Sequence, residues 1–332
     1  NASFDIGFIN AELDRIKRAP LTLDRVVDTL VLARRRHPAG TNSLDALCKR
    51  YGIDLSQRTK HGALLDSMLL ANVYVELLGE RQATLGGDDP EQAIIDCLDA
   101  RTRLLSVSSV QYGTGLTLDL VRLGRACRER SILFCVDAIQ SLGALPFDVQ
   151  QVGADFVVAD GHKWMLGPEG LALLYVADAH IERLRLHQFG WHMVKERGNY
   201  DLKTWEPAPD AKRFECGSPN MLGVVTLSAS LSLLEQVGMP TVQVELLRRV
   251  RHLETLLRDR PDLEIITDTR RALRSGIVSF RHRIIPAAKL FQQLRDQQVV
   301  CAPRGGGIRF SPHFYTPLDV IERAVGLIPR QE

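Results

Sequence analysis

The run Gly86-Gly87-Asp88-Asp89-Pro90 separates two sequence patterns of different period. Paired glycines, turn-favouring acids and a proline stop a helix and interrupt a strand, so each side must bury its own apolar face. Before the run, apolar residues recur at helical spacing. Residues 4–13 predict one helix, Ser43 predicts the N-cap of a second opening at Leu44, and residues 61–78 predict a third, rich in Leu and Ala. After the run, short apolar strands at 104–107, 132–136, 154–159 and 171–176 alternate with helical stretches such as 118–128. That alternation predicts an α/β domain with a mostly parallel central sheet. Residues 221–257 predict helix, interrupted near Gly238 and Pro240. A strand at 276–280 and helices at 287–298 and 317–327 predict a smaller α+β domain at the end. The expected division is therefore 1–86, 87–240 and 241–332.

Composition narrows the function classes. With 45% apolar and 25% charged residues over 332 positions, the chain can bury sizeable cores, which excludes a disordered or collagen-like protein. The formal charge of +2 gives no bulk attraction to nucleic acid. Apolar runs such as 171–176 fall far short of the roughly 18 residues of a bilayer helix, so no membrane partner is expected. Cys48, Cys97, Cys127, Cys135, Cys216 and Cys301 are scattered, with no Cys-x-x-Cys pair. They predict neither a zinc site nor a disulfide framework, but free thiols in a cytoplasmic protein. The chain starts at Asn1 without an initiator Met, which predicts processing or a fragment.

Chemistry concentrates at two strand ends. Asp137 follows the strand 132–136, with Gln140 one turn later, and Asp160-Gly161-His162-Lys163-Trp164 closes the strand 154–159. In an open parallel sheet the carboxyl ends of the strands border the ligand cleft. Alone, Asp137 reads as a helix cap and Lys163 as a solvated charge. Together they suit a cofactor chemistry, because a lysine amine in an apolar pocket becomes a nucleophile and an acid can hold a pyridine nitrogen protonated.

The blocks 136–143 and 162–170, with Arg213-Phe214-Glu215-Cys216-Gly217-Ser218-Pro219-Asn220 and Ile308-Arg309-Phe310-Ser311-Pro312-His313-Phe314-Tyr315, resemble the class V aminotransferase family of pyridoxal-phosphate enzymes. The resemblance covers residues 88–330. It implies part of the pyridoxal-phosphate-dependent transferase fold with a small α+β C-terminal domain, a pyridoxal 5′-phosphate cofactor and a small amino-acid substrate. By resemblance Lys163 would form the internal aldimine and carry a proton at the substrate α-carbon. Asp137 would pair with the pyridine nitrogen, Gln140 would bond the phenolic oxygen and His162 would approach the phosphate. Gly217 and Ser218 would contact the phosphate of a partner subunit's cofactor, so a homodimer is the expected state. Arg309 would clamp the substrate carboxylate, a task suited to a planar bidentate donor. Asp160 stands where many relatives carry a hydroxyl residue. A persulfide role for Cys301 is not expected, because it reads as a buried thiol at a strand end.

Residues 1–86 carry a second resemblance. Asn1-Ala2-Ser3-Phe4-Asp5, Asn42-Ser43-Leu44-Asp45-Ala46-Leu47-Cys48 and His61-Gly62-Ala63-Leu64-Leu65-Asp66 resemble the proofreading epsilon subunits of bacterial DNA polymerase III. This implies a helical fragment of an RNase H-like, DEDD-type 3′–5′ exonuclease domain. Asp5 and Asp66 would be Mg or Mn ligands and His61 the general base, with DNA and DNA polymerase III as partners if the piece is functional. The family's Asp-x-Glu motif is not found, and the pyridoxal-enzyme pattern starts late. The expectation is therefore a chimeric chain with weakened cofactor binding, poor solubility and no proofreading. Three readings stay open: a class V aminotransferase-like enzyme, an exonuclease fragment, and an inactive chimera.

Overall fold

A computed structural model describes residues 2–20, 22, 28–38, 40–51, 53, 69–70, 73 and 88–330. The chain separates into two units, Asn1–Leu85 and Gly86–Glu332. In the first, helices α1 (Ala2–Arg15), α2 (Thr29–Arg36) and α3 (Leu44–Tyr51) are described. Asp28 caps α2 by accepting from the Leu30 and Val31 amides. Ser43 accepts from the Ala46 amide at 3.3 Å, the cap its sequence position predicts. Ala33, Leu47, Cys48, Leu69 and Val73 form a small buried cluster. The helix predicted at 61–78 lies mostly outside the described residues, and so do His61 and Asp66.

The second unit opens with α4 (Pro90–Asp96), which has Pro at its first turn and Asp89 as N-cap. Next come β1 (Leu104–Ser108), α5 (Leu120–Glu129), β2 (Leu133–Asp137), α6 (Val149–Val152), β3 (Phe156–Asp160), β4 (Ala172–Val176) and α7 (Asp178–Ile181). These strands form one sheet in sequence order, with β1, β2 and β3 parallel and β4 antiparallel to β3. The mostly parallel sheet expected from the alternation is present. Phe134, Val136, Val157 and Ala159 are buried on one face, where Gly124 of α5 lets the helix approach Phe134 and the Val152 carbonyl. On the opposite face Leu104, Val158 and Leu174 are exposed.

A 3-10 turn (Ala211–Phe214) leads to α8 (Met221–Val237) and α9 (Met239–Arg258), which meet at Gly238 with a bend of 83°. Gly238 has φ +84°, a conformation that favours glycine, so the predicted interruption is a backbone requirement. No single helix among the described residues is long and apolar enough to cross a membrane.

Then follow β5 (Leu263–Ile265), β6 (Val278–His282), α10 (Ala287–Asp296), β7 (Ala302–Arg304), β8 (Gly307–Phe310) and α11 (Leu318–Gly326). The second sheet is antiparallel in the order β5-β6-β8-β7. Val278, Phe280, Ile308 and Phe310 pack against Val250, Leu253 and Leu257 of α9, Leu290 and Leu294 of α10, and Ile321 and Val325 of α11. The strand begins at Val278, two residues later than the sequence suggests, and Gly276 before it lies against the Trp164 ring, where a Cβ would collide.

Candidate active site

The parallel strands β1, β2 and β3 end on one edge, at Ser108, Asp137 and Asp160. Asp137 is held there by two donors. Its Oδ1 accepts from the Ile139 amide at 3.0 Å and its Oδ2 from the Ser108 hydroxyl at 3.2 Å, so each oxygen keeps a further lone pair. Gln140 lies in the turn beyond β2 and is only 5% exposed. Its Oε1 accepts from the Trp164 indole N–H at 3.0 Å. An indole nitrogen only donates, so this bond fixes the amide orientation and leaves the Gln140 NH2 free to donate.

Lys163 sits in a tight loop after β3. The Leu166 amide donates to the Lys163 carbonyl at 3.1 Å, the Gly167 amide to the Gly161 carbonyl at 2.9 Å and the Gly161 amide to the Leu171 carbonyl at 2.9 Å. Gly143, at φ +88°, lies against the Trp164 and Met165 backbone and leaves no room for a Cβ. The half-buried Lys163 faces a cavity of about 1050 Å³ together with Gln140, His162, Arg309, His313 and Tyr315. Among the described residues its amine has no hydrogen-bond or ion-pair partner. Arg323 reaches the same cavity from α11, and among the described residues no carboxylate lines it. The three basic side chains give the cavity a positive character that suits an anion.

Arg309 comes from β8 in the second sheet and donates to the Tyr112 carbonyl at 2.8 Å. The backbone loop it touches is held by three hydroxyls. Ser279 donates to the Gly113 carbonyl at 2.6 Å, Thr267 to Thr114 at 2.7 Å and Ser275 to Gly115 at 3.0 Å. Burial, with the neighbouring charge of Arg304, lowers the Arg309 pKa from its ordinary value. It remains a cation at neutral pH.

The cavity thus brings together Lys163, Gln140, His162 and Arg309. Asp137 stands at the end of β2 beside them but is not among the lining residues, nor are Gly217 and Ser218, which are exposed after the 3-10 turn. Asp5 falls in α1 with its side chain outside the description, as His61 and Asp66 are entirely. Among the described residues no cluster of His, Cys, Asp and Glu could hold a metal ion. Cys301 precedes β7, does not line the cavity, and burial pushes its thiol pKa up. Two residues that the sequence reading assigned no role, Trp164 and His313, are central to the site's packing. Both lie inside the 162–170 and 308–315 motifs, and their place there is their only signal in the sequence.

The sequence profile of the family Aminotransferase class-V matches residues 71–308. The chain belongs to the class V aminotransferase family. A profile described as Exonuclease also matches residues 1–74. Among curated relatives, the uncharacterized aminotransferase YcbU of Bacillus subtilis (strain 168) is 29% identical over 229 residues, covering 68% of this chain and 58% of that protein. A kynureninase of Deinococcus radiodurans is 32% identical over 271 residues, covering 78% of this chain and 62% of its own. The class V chain therefore spans about three fifths of these relatives' lengths. The first unit is similar to the DNA polymerase III subunit epsilon of Rickettsia felis, 55% identical over 86 residues, covering 25% of this chain and 38% of that one. An apo cysteine desulfurase from Thermococcus onnurineus NA1 superposes with a TM-score of 0.67 at 20% identity, over 90% of this chain and 81% of that chain. At that identity the likeness establishes the fold.

Proposed function

We propose that the second unit of this class V chain is a pyridoxal-phosphate-dependent enzyme acting on a small amino acid, with Lys163 supplying the amine that holds the cofactor. The observation that carries this reading is the single cavity that Lys163, Gln140 and Arg309 line together, with the Lys163 amine unpaired among the described residues and the Gln140 amide oriented by Trp164. Those residues fit the group. An aldehyde needs an amine, a phenolic oxygen needs a donor and a phosphate needs cationic surroundings. When bound, pyridoxal phosphate supplies an electron sink for charge developing at the substrate α-carbon.

Lys163 would hold the cofactor through its amine and carry a proton at the substrate α-carbon. Gln140 would donate to the phenolic oxygen, and Asp137, from beside the cavity, would accept from the protonated ring nitrogen with a remaining lone pair. His162, exposed at the cavity rim, would approach the phosphate, and Asp160 would oppose it. Arg309 grips the substrate carboxylate with two parallel N–H donors. Gly217 and Ser218 would contact the phosphate of a partner subunit's cofactor in a homodimer. The exposed Met221 and Leu222 at the start of α8, the latter 80% exposed, support such pairing. The raised thiol pKa of Cys301 and its place outside the cavity weigh against a persulfide reaction. Free thiols at all six cysteines support a cytoplasmic location.

Borohydride reduction of the chain with pyridoxal phosphate tests the reading. The pyridoxyl group is expected on Lys163, and Lys163→Ala should abolish the reducible adduct. Reduction trapped on a different lysine sinks the assignment. A second reading, a metal-dependent 3′–5′ exonuclease fragment in residues 1–86, is favoured by the epsilon-subunit similarity. Magnesium-dependent nucleotide release from single-stranded DNA, lost in Asp66→Ala, would support it.

A further inference from the structure

His313 is 8% exposed and lies in the segment between β8 and α11, yet its ring reaches the loop that carries Lys163. The Phe314 amide donates to its Nδ1 at 2.8 Å. A nitrogen that accepts from an amide carries no proton, so in the neutral ring the proton sits on Nε2. That Nε2–H donates to the Trp164 carbonyl at 3.1 Å. Both ring nitrogens are satisfied in the neutral form. Protonation would turn Nδ1 into a donor facing the Phe314 N–H, and burial likewise lowers the His313 pKa.

Trp164 is therefore gripped at two points. Its indole N–H is held by Gln140, from the turn after β2, and its carbonyl by His313, from the second sheet's far end. The His313 ring also stacks on Tyr315 at 4.9 Å and lies 5.2 Å from the Trp164 ring. Gly143 and Gly276 remove the two side chains that would push Trp164 out of this seat. The Trp164 carbonyl belongs to the peptide that joins Trp164 to Met165, so the His313 bond restrains the loop one residue beyond Lys163.

We infer that His313 is a positioning residue for Lys163: its Nε2–H bond to the Trp164 carbonyl locks the 161–167 loop so that the lysine amine and the Gln140 amide face the cavity together. The inference builds on the reading of Lys163 as the cofactor amine. It concerns the loop itself, so it can be tested without cofactor.

The measurement is amide hydrogen exchange on the full chain, reading the peptide that spans residues 161–167, whose Gly161, Leu166 and Gly167 amides are internally bonded. His313→Leu, which removes the donor, should raise exchange there about tenfold relative to wild type. His313→Asn keeps an acceptor for the Phe314 amide but cannot reach the Trp164 carbonyl, so it should behave like Leu. His313→Gln presents an amide donor near the Nε2 position and should restore protection to within about threefold. The strands Val278–His282 and Gly307–Phe310 serve as the internal control and should not change. Equal exchange in wild type and His313→Leu would overturn the inference. So would a rise spread equally over both sheets, or a Gln variant no better than Leu, since either marks a packing role only. Reductive pyridoxylation of the same samples keeps the two ideas apart. If wild type forms no Lys163 adduct, the cofactor reading fails while the exchange pattern still decides the role of His313.

Discussion

The two sheets of the second unit bury their apolar residues very differently. The antiparallel sheet β5-β6-β8-β7 closes its core with α9, α10 and α11, and Val278, Phe280, Leu290, Leu294 and Ile308 are fully buried. The β1-β2-β3-β4 sheet buries one face, while Leu104, Val158 and Leu174 stand exposed on the other. Val158 and Leu174 are neighbours on that face, since they pair across β3 and β4. The self-sufficient sheet thus supplies Arg309 and His313, and the half-covered one supplies Asp137, Gln140 and Lys163. The site joins a rigid part to one whose open face invites association.

The largest expected contrast comes from the same truncation made in both places. Leu290→Ala removes a fully buried side chain and should cost about 3–5 kcal/mol. Leu174→Ala removes one already 51% exposed and should cost less than about 1 kcal/mol. Denaturant unfolding of the two variants measures the difference. Equal losses would break the contrast and mean that the open face is covered in solution.

A smaller effect sharpens the other side. Arg260 and Asp262 are both buried at the end of α9, where the guanidinium donates to both carboxylate oxygens, at 2.9 and 2.7 Å, and to the carbonyls of Ile328 and Pro329. The Arg260 hydrogen bond is the main cause that lowers the Asp262 pKa to about 2. A carboxyl with a depressed folded pKa contributes its full stability above the unfolded value of about 4 and loses it as pH falls towards 2. Asp262→Asn should cost about 3 kcal/mol at neutral pH and almost nothing near pH 2. Stability curves of the two proteins that run parallel from pH 7 to 2 would rule this out.

Some of this was legible in the sequence and some could not be. Asp137 and Lys163 follow apolar runs whose alternation with helices already implies strand ends on one edge. Gly238 announced the α8–α9 break because its φ of +84° favours a glycine. The antiparallel direction of β4 was not legible, since an apolar run of six has no direction written in it. The bond from His313 to Trp164 was hidden for a different reason. Its partners lie 149 residues apart, and their contact depends on close approaches at Gly143 and Gly276 that exist only once both sheets are packed. Cavity composition was likewise hidden, because Arg323 is one arginine in an ordinary amphipathic helix until α11 is placed.

The smallest effect on stability tests the open face most directly. Leu174→Thr keeps a residue that suits a strand and replaces exposed apolar surface by a hydroxyl that water can solvate. Because Leu174 is half in water already, the folding free energy should move by less than about 1 kcal/mol and the melting temperature by only a few degrees. Association is another matter. Val158 and Leu174 are directly paired across β3 and β4, so together they present a contiguous apolar step to a neighbouring molecule. Light scattering at rising protein concentration should show a later onset of aggregation for Leu174→Thr than for wild type. If onset and melting temperature both stay unchanged, the association-prone surface lies elsewhere, with the exposed Leu222 of α8 the next to replace. If the melting temperature falls sharply instead, the face is buried in solution, and the difference between the two sheets belongs to the isolated chain alone.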